Sequence, residues 1–394
     1  MSWLEGWQYR KSHEIEGSTA GAVTDYQIRI AVHYGSGTDS GEHVYLNGKC
    51  RTDFGDIRFT DSDGVTELSY WIEDKIDGDY AIFWVKVSNI PASPDSVTIY
   101  IYYGNPSVTT VSNFANTFHF TEDWEACNLD GWSGNKSYKS CSGEQPKRGT
   151  YSLKVYTTST SYGIYTMYKD YSGLANQKYV FDLRWIRLVG DIFYGIRVRS
   201  ADKDIVLFGA KASTSQWVAY DGKTAIYWGN IITGQYYKIE FRIKSDKTYD
   251  IYINDVLQQS GLAWFDDTAG DPNRAVFMSQ SGSVNSRYYS DDLRILKYID
   301  PEPSHGTWGS EEVPIIYKIS GYTRDANGDP LPNCTVWLFR TSDKQFIAET
   351  ISDEDGYYEF TVYDNVTEYF IRAHKDGTPN VFGTTDRNLK GVAS

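Results

Sequence analysis

The sequence predicts an all-β protein with three β-sandwich domains in series. Apolar and polar residues alternate with a period of two in many short runs, which is the pattern of half-buried strands. Clusters of Gly, Pro, Asn, Asp and Ser separate these runs and mark turns. The chain has 394 residues, which is enough for about two to four domains.

The composition is unusual in its aromatic residues, with 33 Tyr and 12 Trp against 3 Met. Tyr and Trp favour strands and carry a polar group on an apolar ring, which suits solvent-facing sheets and binding faces. With 40% hydrophobic and 23% charged residues, the composition is that of a globular protein. The net charge of -14 argues against nucleic acid, which needs a basic patch. No apolar run approaches the ~18 residues of a membrane span.

Residues 1–113 are predicted to form the first sandwich. Alternating runs lie at 26–32, 81–87 and 97–103, and no stretch keeps a helical period for about ten residues. Four separated motifs resemble, in order, a family known only as a domain of unknown function: residues 7–11, 56–64, 83–87 and 99–106. That family tends to precede lectin-like domains in surface and viral proteins. It supplies no known catalytic residues.

Residues 114–310 are predicted to form one large middle sandwich. It opens on an aromatic and acidic strand at 118–125 and closes on a strand at 288–298, and we expect these two strands to lie near each other. A hairpin is predicted from the runs 237–243 and 248–255. The pattern resembles the concanavalin-A-like lectin and carbohydrate-binding-module jelly rolls. Residues 299–314 contain prolines that disfavour a central strand, so they are predicted to form an extended exit linker.

Residues 311–394 are predicted to form the third sandwich. The order of its motifs resembles the carboxypeptidase-regulatory-like, transthyretin-like domain through about residue 375: residues 319–332, 335–339, 350–360 and 369–373. The resemblance implies a seven-stranded and non-catalytic module. Residues 379–394 lie beyond the usual module and are expected to dock on a neighbouring surface.

The jelly-roll resemblance implies a structural Ca²⁺ as the one expected cofactor. In several such domains the ion lies between an acidic residue of the opening strand and an Asp of the closing strand, which here are Asp123 or Glu125 and Asp292. Ca²⁺ takes about six to eight oxygen ligands, and alternation places Asp123 and Glu125 on one face of their strand. The alternative is that these carboxylates cap strand ends in solvent.

A carbohydrate site is predicted from aromatic residues with polar neighbours. Sugars stack on Trp and Tyr rings and form hydrogen bonds to nearby Asn, Asp and Gln. The candidates in the middle domain are Tyr194, Trp217, Tyr220, Tyr227, Trp228 and Asn230. Alternation sends half of any such run into the core, so each ring taken alone is more often packing than site.

The sequence argues against an enzyme. Glycosidases need two opposed carboxylates, and the nearest match, residues 122–125, lacks the Glu-apolar-Asp-apolar-Glu spacing that points three acids into one cleft. The six His are scattered without a His-x-x-x-His pair. No glycine-rich phosphate loop follows a strand and opens a helix.

The four cysteines fit no zinc spacing. Cys127 and Cys141 flank a loop and are candidates for one disulfide, with free thiols as the equal alternative. Residues 1–7 contain neither a basic segment nor an apolar segment of a secretory signal, so export is expected by removal of a signal or by another route, such as release of virus particles by lysis.

The expected function is structural and adhesive, without catalysis. We expect a protein of a virus particle, as capsid decoration or tail fibre, or of a cell surface. Its partners would be other copies or other proteins of that assembly through the first and last domains, and cell-surface glycans through the middle domain, with affinity raised by many copies. The alternative is a secreted carbohydrate-binding module of a polysaccharide-degrading system, and after it a glycosidase.

Overall fold

A computed structural model describes residues 3–157, 163–188, 193–281, 286–363, 365–377, 380–385 and 388–393, without the side chains of residues 193, 194, 280 and 281. This part of the chain contains 30 strands and one helix of four residues, which confirms the predicted all-β fold. No helix among the described residues has the length and apolar character needed to cross a bilayer.

The strands are numbered in chain order. The first set is β1 (Tyr9–Glu16), β2 (Val23–His33), β3 (His43–Tyr45), β4 (Arg58–Thr60), β5 (Tyr70–Ile76), β6 (Tyr80–Ile90) and β7 (Ser96–Tyr103). After helix α1 (Phe114–Thr117) come β8 (Phe120–Glu122), β9 (Ser133–Gly134), β10 (Lys139–Ser142), β11 (Ser152–Tyr156), β12 (Gly163–Asp170), β13 (Gln177–Arg187), β14 (Phe193–Ser200), β15 (Lys203–Lys211) and β16 (Gln216–Asp221).

Further strands complete the middle of the chain: β17 (Thr224–Trp228), β18 (Tyr236–Ile243), β19 (Thr248–Ile253), β20 (Val256–Ala263), β21 (Arg274–Ser281), β22 (Arg287–Lys297) and β23 (Ser304–Trp308). The last set is β24 (Tyr317–Tyr322), β25 (Thr335–Arg340), β26 (Phe346–Ile351), β27 (Tyr357–Val362), β28 (Tyr369–Lys375), β29 (Val381–Thr384) and β30 (Val392–Ala393).

The first sandwich consists of two four-stranded sheets, β3-β2-β6-β5 and β23-β1-β7-β4. Alternate side chains of the central strands fill the core between them. Ile30 on β2, Phe83 on β6 and Ile101 on β7 are at most 1% exposed. Burying an aliphatic or aromatic side chain of this size contributes about 1.5–3 kcal/mol each, so this face holds the two sheets together.

Part of the predicted exit linker is a strand of the first sandwich. β23 pairs antiparallel with β1, with His13 opposite Trp308 and Glu16 opposite Ser304. It is an edge strand, which agrees with the prolines that precede it. The structure therefore assigns residues 304–308 to the first sandwich, and the middle domain is an insertion between β7 and β23.

The middle domain is a sandwich of one eight-stranded and one seven-stranded sheet. The order of the first is β10-β11-β22-β13-β18-β19-β20, with β8 also paired to β22, and the order of the second is β17-β16-β15-β14-β21-β12-β9. The opening and closing strands pair directly, with Leu293 opposite Glu122, as predicted. The predicted hairpin is β18 and β19, with Ile243 opposite Tyr249. Cys127 and Cys141 form a disulfide beside this opening strand.

The third sandwich consists of the sheets β27-β24-β30 and β26-β25-β28-β29. Its core is small and includes Val336 and Leu338, which are 0% exposed. The described residues after 379 stay with this domain: β29 pairs with β28, and β30 pairs with β24. The tail therefore completes both sheets of its own sandwich.

The first sandwich covers the outer face of the eight-stranded sheet, which we call the covered face. Trp71 and Trp84 of the first sandwich form one apolar cluster with Phe118, Val180 and Leu296. Beside this cluster, the fully buried guanidinium of Arg294 pairs with Glu73. Burial raises the pKa of the Glu73 carboxyl, but Arg294 and Lys238 overcome that effect and lower the pKa to about 2.

Candidate functional site

The outer side of the seven-stranded sheet, which we call the outward face, collects charged and aromatic side chains. On β14, Ile196 and Val198 point into the core and are at most 1% exposed. Successive side chains of a strand point to opposite sides, so Arg197 and Arg199 stand on the outward face. The side chains of Arg197 and Arg199 are 18% and 20% exposed.

Arg197 and Arg199 share one carboxylate. Arg197 Nη1 donates to Asp204 Oδ2 at 3.0 Å, and Arg199 Nε lies 2.9 Å from Asp204 Oδ1. The three side chains together therefore keep one net positive charge. Arg197 Nε is buried and has no hydrogen-bond partner among the described residues. A buried donor without a partner costs about 1–3 kcal/mol, which an acceptor from a ligand would recover.

Two tyrosines stand next to this cluster on the outward face. Tyr227 lies opposite Val218, and Tyr220 lies opposite Ala225. Tyr227 is 48% exposed, and the Lys211 ammonium lies 4.9 Å from its ring centre. Burial and Tyr227 raise the pKa of Tyr220, and Arg197 opposes that rise, so the two hydroxyls and the guanidinium are within electrostatic reach of one another.

Two neighbouring glycines lie on the outward face, in a row that continues to Met278 on one side and through Val218 to Tyr227 on the other. Gly195 lies directly opposite Gly209, and Gly209 lies opposite Val218. On β14, Arg197 comes two residues after Gly195, and on β15, Lys211 comes two residues after Gly209. Because the two strands are antiparallel, the two basic residues lie on opposite sides of the glycines. Because a strand rises about 3.3 Å per residue, these flanking rows are roughly 13 Å apart. The outward face therefore has these two glycines, which we call the glycine floor, between two basic rows, and both glycines are buried among their neighbours.

The far edge of the outward face carries a second aromatic and cationic pair. Arg274 lies 4.0 Å from the ring centre of Tyr168. It also forms ion pairs with Asp170 and, at 3.3 Å, with Asp202. The charge of Arg274 is therefore balanced, unlike the charge that Arg197 and Arg199 share.

Alternation divides the predicted sugar-binding residues between two sides of the sheet. Tyr220 and Tyr227 are on the outward face. Trp217 and Trp228 are opposite each other on the core side, and Trp217 is 3% exposed and stacked on Phe208. The structure removes these two indoles from the sugar-binding set, because their rings pack in the core.

The two other predicted sugar-binding positions lie elsewhere. Asn230 is exposed in the loop after β17. The side chain of Tyr194 lies outside the described residues. The residues that sequence reasoning missed are Arg197, Arg199 and Asp204. The signal was present in the run Ile-Arg-Val-Arg at 196–199, which places two guanidinium groups on one face, but only the tertiary structure brings Asp204 to both of them.

The carboxylates predicted to bind Ca²⁺ have other partners. Asp123 accepts from the Glu125 backbone N–H at 3.1 Å, and Glu125 accepts from the backbone N–H of Thr150 and Tyr151 at 2.9 Å. Asp292 is buried and pairs with the Arg148 guanidinium. Among the described residues, no three or more His, Cys, Asp or Glu side chains are grouped closely enough to hold a metal. The calcium site stays a prediction.

The carboxylate nearest to the expected glycosidase pattern is held by structural contacts. Glu122 accepts from Trp132 Nε1 at 2.9 Å and pairs with Lys169 at 2.8 Å. Trp124, two residues on, is 1% exposed and stacks against Trp132. β8 ends at Glu122, so the predicted opening strand at 118–125 is shorter than expected, and Glu122 and the loop residue Trp124 together connect the two sheets of the middle domain.

The third domain carries a separate aromatic surface. Its four-stranded sheet lines a groove of about 630 Å³ with Trp337, Phe339, Phe346, Phe382 and Arg372. Phe346 and Phe382 are 52% and 72% exposed. The polar groups in this groove are few, and Trp337 Nε1 already donates to Glu349 at 2.5 Å. The groove is therefore suited to apolar contact.

Comparison with known families gives one match. A family model described as "Domain of unknown function (DUF2341)" matches residues 53–135. The match includes three of the four motifs that pointed to such a family, and it continues beyond residue 113 through β8 and β9 into the middle domain. Comparison with curated proteins gives no significant match.

Several solved structures are similar to about half of the chain. One titled "Sialidase" is 12% identical with a TM-score of 0.37, and it covers 56% of this chain, which spans only 20% of that chain. "Cellulose induced protein, Cip1" is 14% identical with a TM-score of 0.36, covering 45% of this chain and 97% of its own. An alginate lyase from Corynebacterium sp. is 12% identical with a TM-score of 0.32, covering 48% of this chain and 100% of its own. At such scores, likeness assigns no function.

Proposed function

We propose that this chain is a non-enzymatic glycan-binding protein that takes saccharides on the outward face of its middle domain. The observation that carries the proposal is the juxtaposition of Arg197, which has an unpartnered buried donor, with Tyr220 and Tyr227 beside a floor of two glycines. Guanidinium and phenol groups supply hydrogen bonds to sugar hydroxyls.

Binding on such a surface is shallow, so each site is expected to be weak. A ligand on one face of a sheet keeps much of its own surface in water, in contrast to a ligand in an enclosed pocket. Adhesion would then depend on many sites acting together, because linked binding events raise the effective affinity by large factors. This favours a setting in which the chain is displayed in many copies.

The setting that we propose is the surface of a virus particle or a cell. The disulfide between Cys127 and Cys141 supports exposure to an oxidising environment. The exposed Phe346 and Phe382 support assembly contacts through the third domain. Electron microscopy of the native source is expected to show the chain on a particle or cell surface. Its absence from both would remove this setting.

The assembly contact has its own test in solution. We expect Phe346→Ser with Phe382→Ser to lower the molar mass measured by light scattering, because both rings are exposed on the groove of the third domain. Val256→Ser, at an equally exposed apolar position of the middle domain, is the matched control. A monomeric wild-type chain would contradict the contact.

The alternative setting is a secreted carbohydrate-binding module of a polysaccharide-degrading system. The same outward face and the same disulfide support it. A neighbouring gene for a glycosidase or a signal peptide would favour it over an assembly. A glycosidase is the least favoured reading, and unchanged polysaccharide turnover in Glu122→Gln, Asp123→Asn and Glu125→Gln variants would end it.

A glycan array with the intact chain tests the proposed function. We expect binding to a set of glycans and a two- to tenfold loss of affinity in Tyr227→Ala, which is about what one aromatic contact contributes. Tyr322→Ala is the matched control, because Tyr322 is 56% exposed on the third domain. Equal losses in both variants, or no binding by the wild-type chain, would contradict the proposal.

A further inference from the structure

Among the described residues, the outward face carries more basic than acidic side chains, although the chain as a whole has 38 basic and 52 acidic residues. The basic groups are Arg197, Arg199, Lys211 and Arg274, and the acidic groups are Asp170, Asp202 and Asp204. Asp170 and Asp202 both pair with Arg274. The positive charge that is left therefore lies at the other side of the face, around Arg197 and Lys211.

Lys211 has no carboxylate partner among the described residues. Its ammonium lies 4.9 Å from the ring centre of Tyr227. A cation over an aromatic ring gains about 0.5–1 kcal/mol at an exposed site, which positions the group without neutralising it. The lysine also occupies one face of that ring, so the ring supports a cation in addition to any contact with a sugar.

Arg197 is the second cation without a carboxylate of its own. Asp204 engages its Nη1 atom and at the same time lies 2.9 Å from Arg199 Nε. The Nε edge of the Arg197 guanidinium has no partner in the described structure.

We propose that the saccharide bound on the outward face is anionic, with one carboxylate or sulfate group held by Arg197 and another by Lys211. This inference rests on the proposed function. A guanidinium forms paired, charge-assisted hydrogen bonds with planar or tetrahedral oxyanions, and an ammonium adds a point charge. The two basic rows are roughly 13 Å apart across the glycine floor, so an oligosaccharide is long enough to place anionic groups at both.

The test uses matched pairs of saccharides with the intact chain. The pairs are oligogalacturonate and its methyl ester, heparin oligosaccharide and its desulfated form, and sialyllactose and lactose. We expect the anionic member of at least one pair to bind roughly tenfold more tightly than its neutral partner, and this preference to shrink at high salt because salt screens charge. Calorimetry or surface plasmon resonance gives the affinities.

The outcomes separate this inference from the proposed function. Equal binding of both members of every pair, or preference for the neutral members, overturns the anionic ligand while glycan binding stands. No binding of any saccharide overturns both. Preference for the anionic member supports both.

Variants locate the anionic group. Lys211→Gln is expected to remove most of the preference for the anionic member and to leave binding of the neutral member within about twofold. Arg197→Gln is expected to remove most of that preference and also to weaken binding of the neutral member, because its guanidinium donates to sugar hydroxyls as well. Lys211 is partly exposed, so Lys211→Gln still tests the proposal if Arg197→Gln fails to fold. Arg340→Gln, in an exposed pair with Asp343 on the third domain, is the control. A preference that survives both variants would overturn the assignment to these residues.

Discussion

The two outer faces of the middle sandwich use the same chemistry in different ways. On the covered face, the fully buried Arg294 has Glu73 as its partner from the first domain, 221 residues away in sequence. On the outward face, Arg197 and Arg199 share Asp204 and keep part of their surface exposed. On both faces, these arginines lie on strands and point away from the core of the sandwich. The difference shows that what covers a sheet decides whether its arginines are structural or remain available to a ligand.

The covered face also contains a second interdomain contact. Arg148 pairs with Asp182 and Asp292 of the middle domain and donates to the Glu73 carbonyl of the first domain at 2.6 Å. Its guanidinium lies 5.3 Å from the centre of the Trp71 ring. On the covered face, the guanidinium groups of Arg148 and Arg294 therefore pair with carboxylates and connect the first and middle domains. No such bridge is needed on the outward face.

The largest difference in stability between the two faces is expected when one carboxylate is removed from each of them. Glu73→Ala leaves Arg294 buried and unpaired, so we expect the free energy of unfolding to fall by about 3–5 kcal/mol. Asp204→Ala leaves two partly exposed arginines and is expected to cost about 1 kcal/mol or less. Denaturant unfolding followed by Trp fluorescence measures both variants. Similar losses in the two variants would contradict the difference between the faces.

Acid is expected to act on the closure of the first sandwich around the inserted domain. Burial and the neighbouring His305 lower the pKa of His13 to about 3, and His13 Nε2 lies 2.8 Å from His305 Nδ1. Burial also lowers the pKa of His305, although Glu42 opposes that change while Arg29 and His43 add to it. The unfolded His pKa is about 6.5, so the unfolded chain binds more protons between roughly pH 6.5 and 3. Stability is therefore expected to fall as the pH falls through this range.

The measurement compares slopes of stability against pH. Each unit between folded and unfolded pKa corresponds to roughly 1.4 kcal/mol, and His13→Gln is expected to flatten the slope between pH 7 and 4. Burial and Asp292 raise the pKa of Asp291 to about 8, so protonation of this carboxyl favours the folded state as the pH falls. This contribution is the same in the wild-type chain and in His13→Gln, so it does not change the difference between their slopes. Equal slopes would contradict the role of His13. The raised pKa of Tyr220 keeps that phenol neutral throughout.

A smaller effect is expected from Arg148→Met. This change removes the ion pairs to Asp182 and Asp292 but keeps an apolar stem beside Trp71, so we expect a loss of about 1–3 kcal/mol and faster proteolysis between the first and middle domains. Lys211→Met, on the outward face, is the control and is expected to change stability by less than about 0.5 kcal/mol. Unaltered proteolysis in Arg148→Met would show that the apolar cluster alone holds the domains.

The smallest effect is expected from chelation. A Ca²⁺ ion at Asp123 and Glu125 would make the melting temperature fall by a few degrees when EDTA is added, since any ligand of the folded state adds to its stability. Asp292 is already held by Arg148, so its contribution is expected to be minor. Titration of Ca²⁺ into the EDTA-treated chain should restore the melting temperature. A melting temperature unchanged by EDTA would remove calcium from this protein.

The sequence predicted several residues of the candidate site, but it did not predict which side of the sheet each of them faces. Trp217, Tyr220, Tyr227 and Trp228 were predicted together as sugar-binding candidates, yet the tryptophans face the core and the tyrosines face outward. Alternation states which residues share a side of a strand. It does not state which side meets the other sheet, because that depends on residues far away in the chain.

Local alternation and turn chemistry were enough to determine the all-β class, the hairpin of β18 and β19 and the proximity of the opening and closing strands, because these features depend on short-range periodicity and on the general architecture of a sandwich. Only the tertiary structure decided that β23 returns to the first domain, that Arg148 meets Asp292, and that the eight-stranded sheet is covered. These are contacts between distant segments. Their free energy comes from burial and pairing across the fold, which no local pattern records.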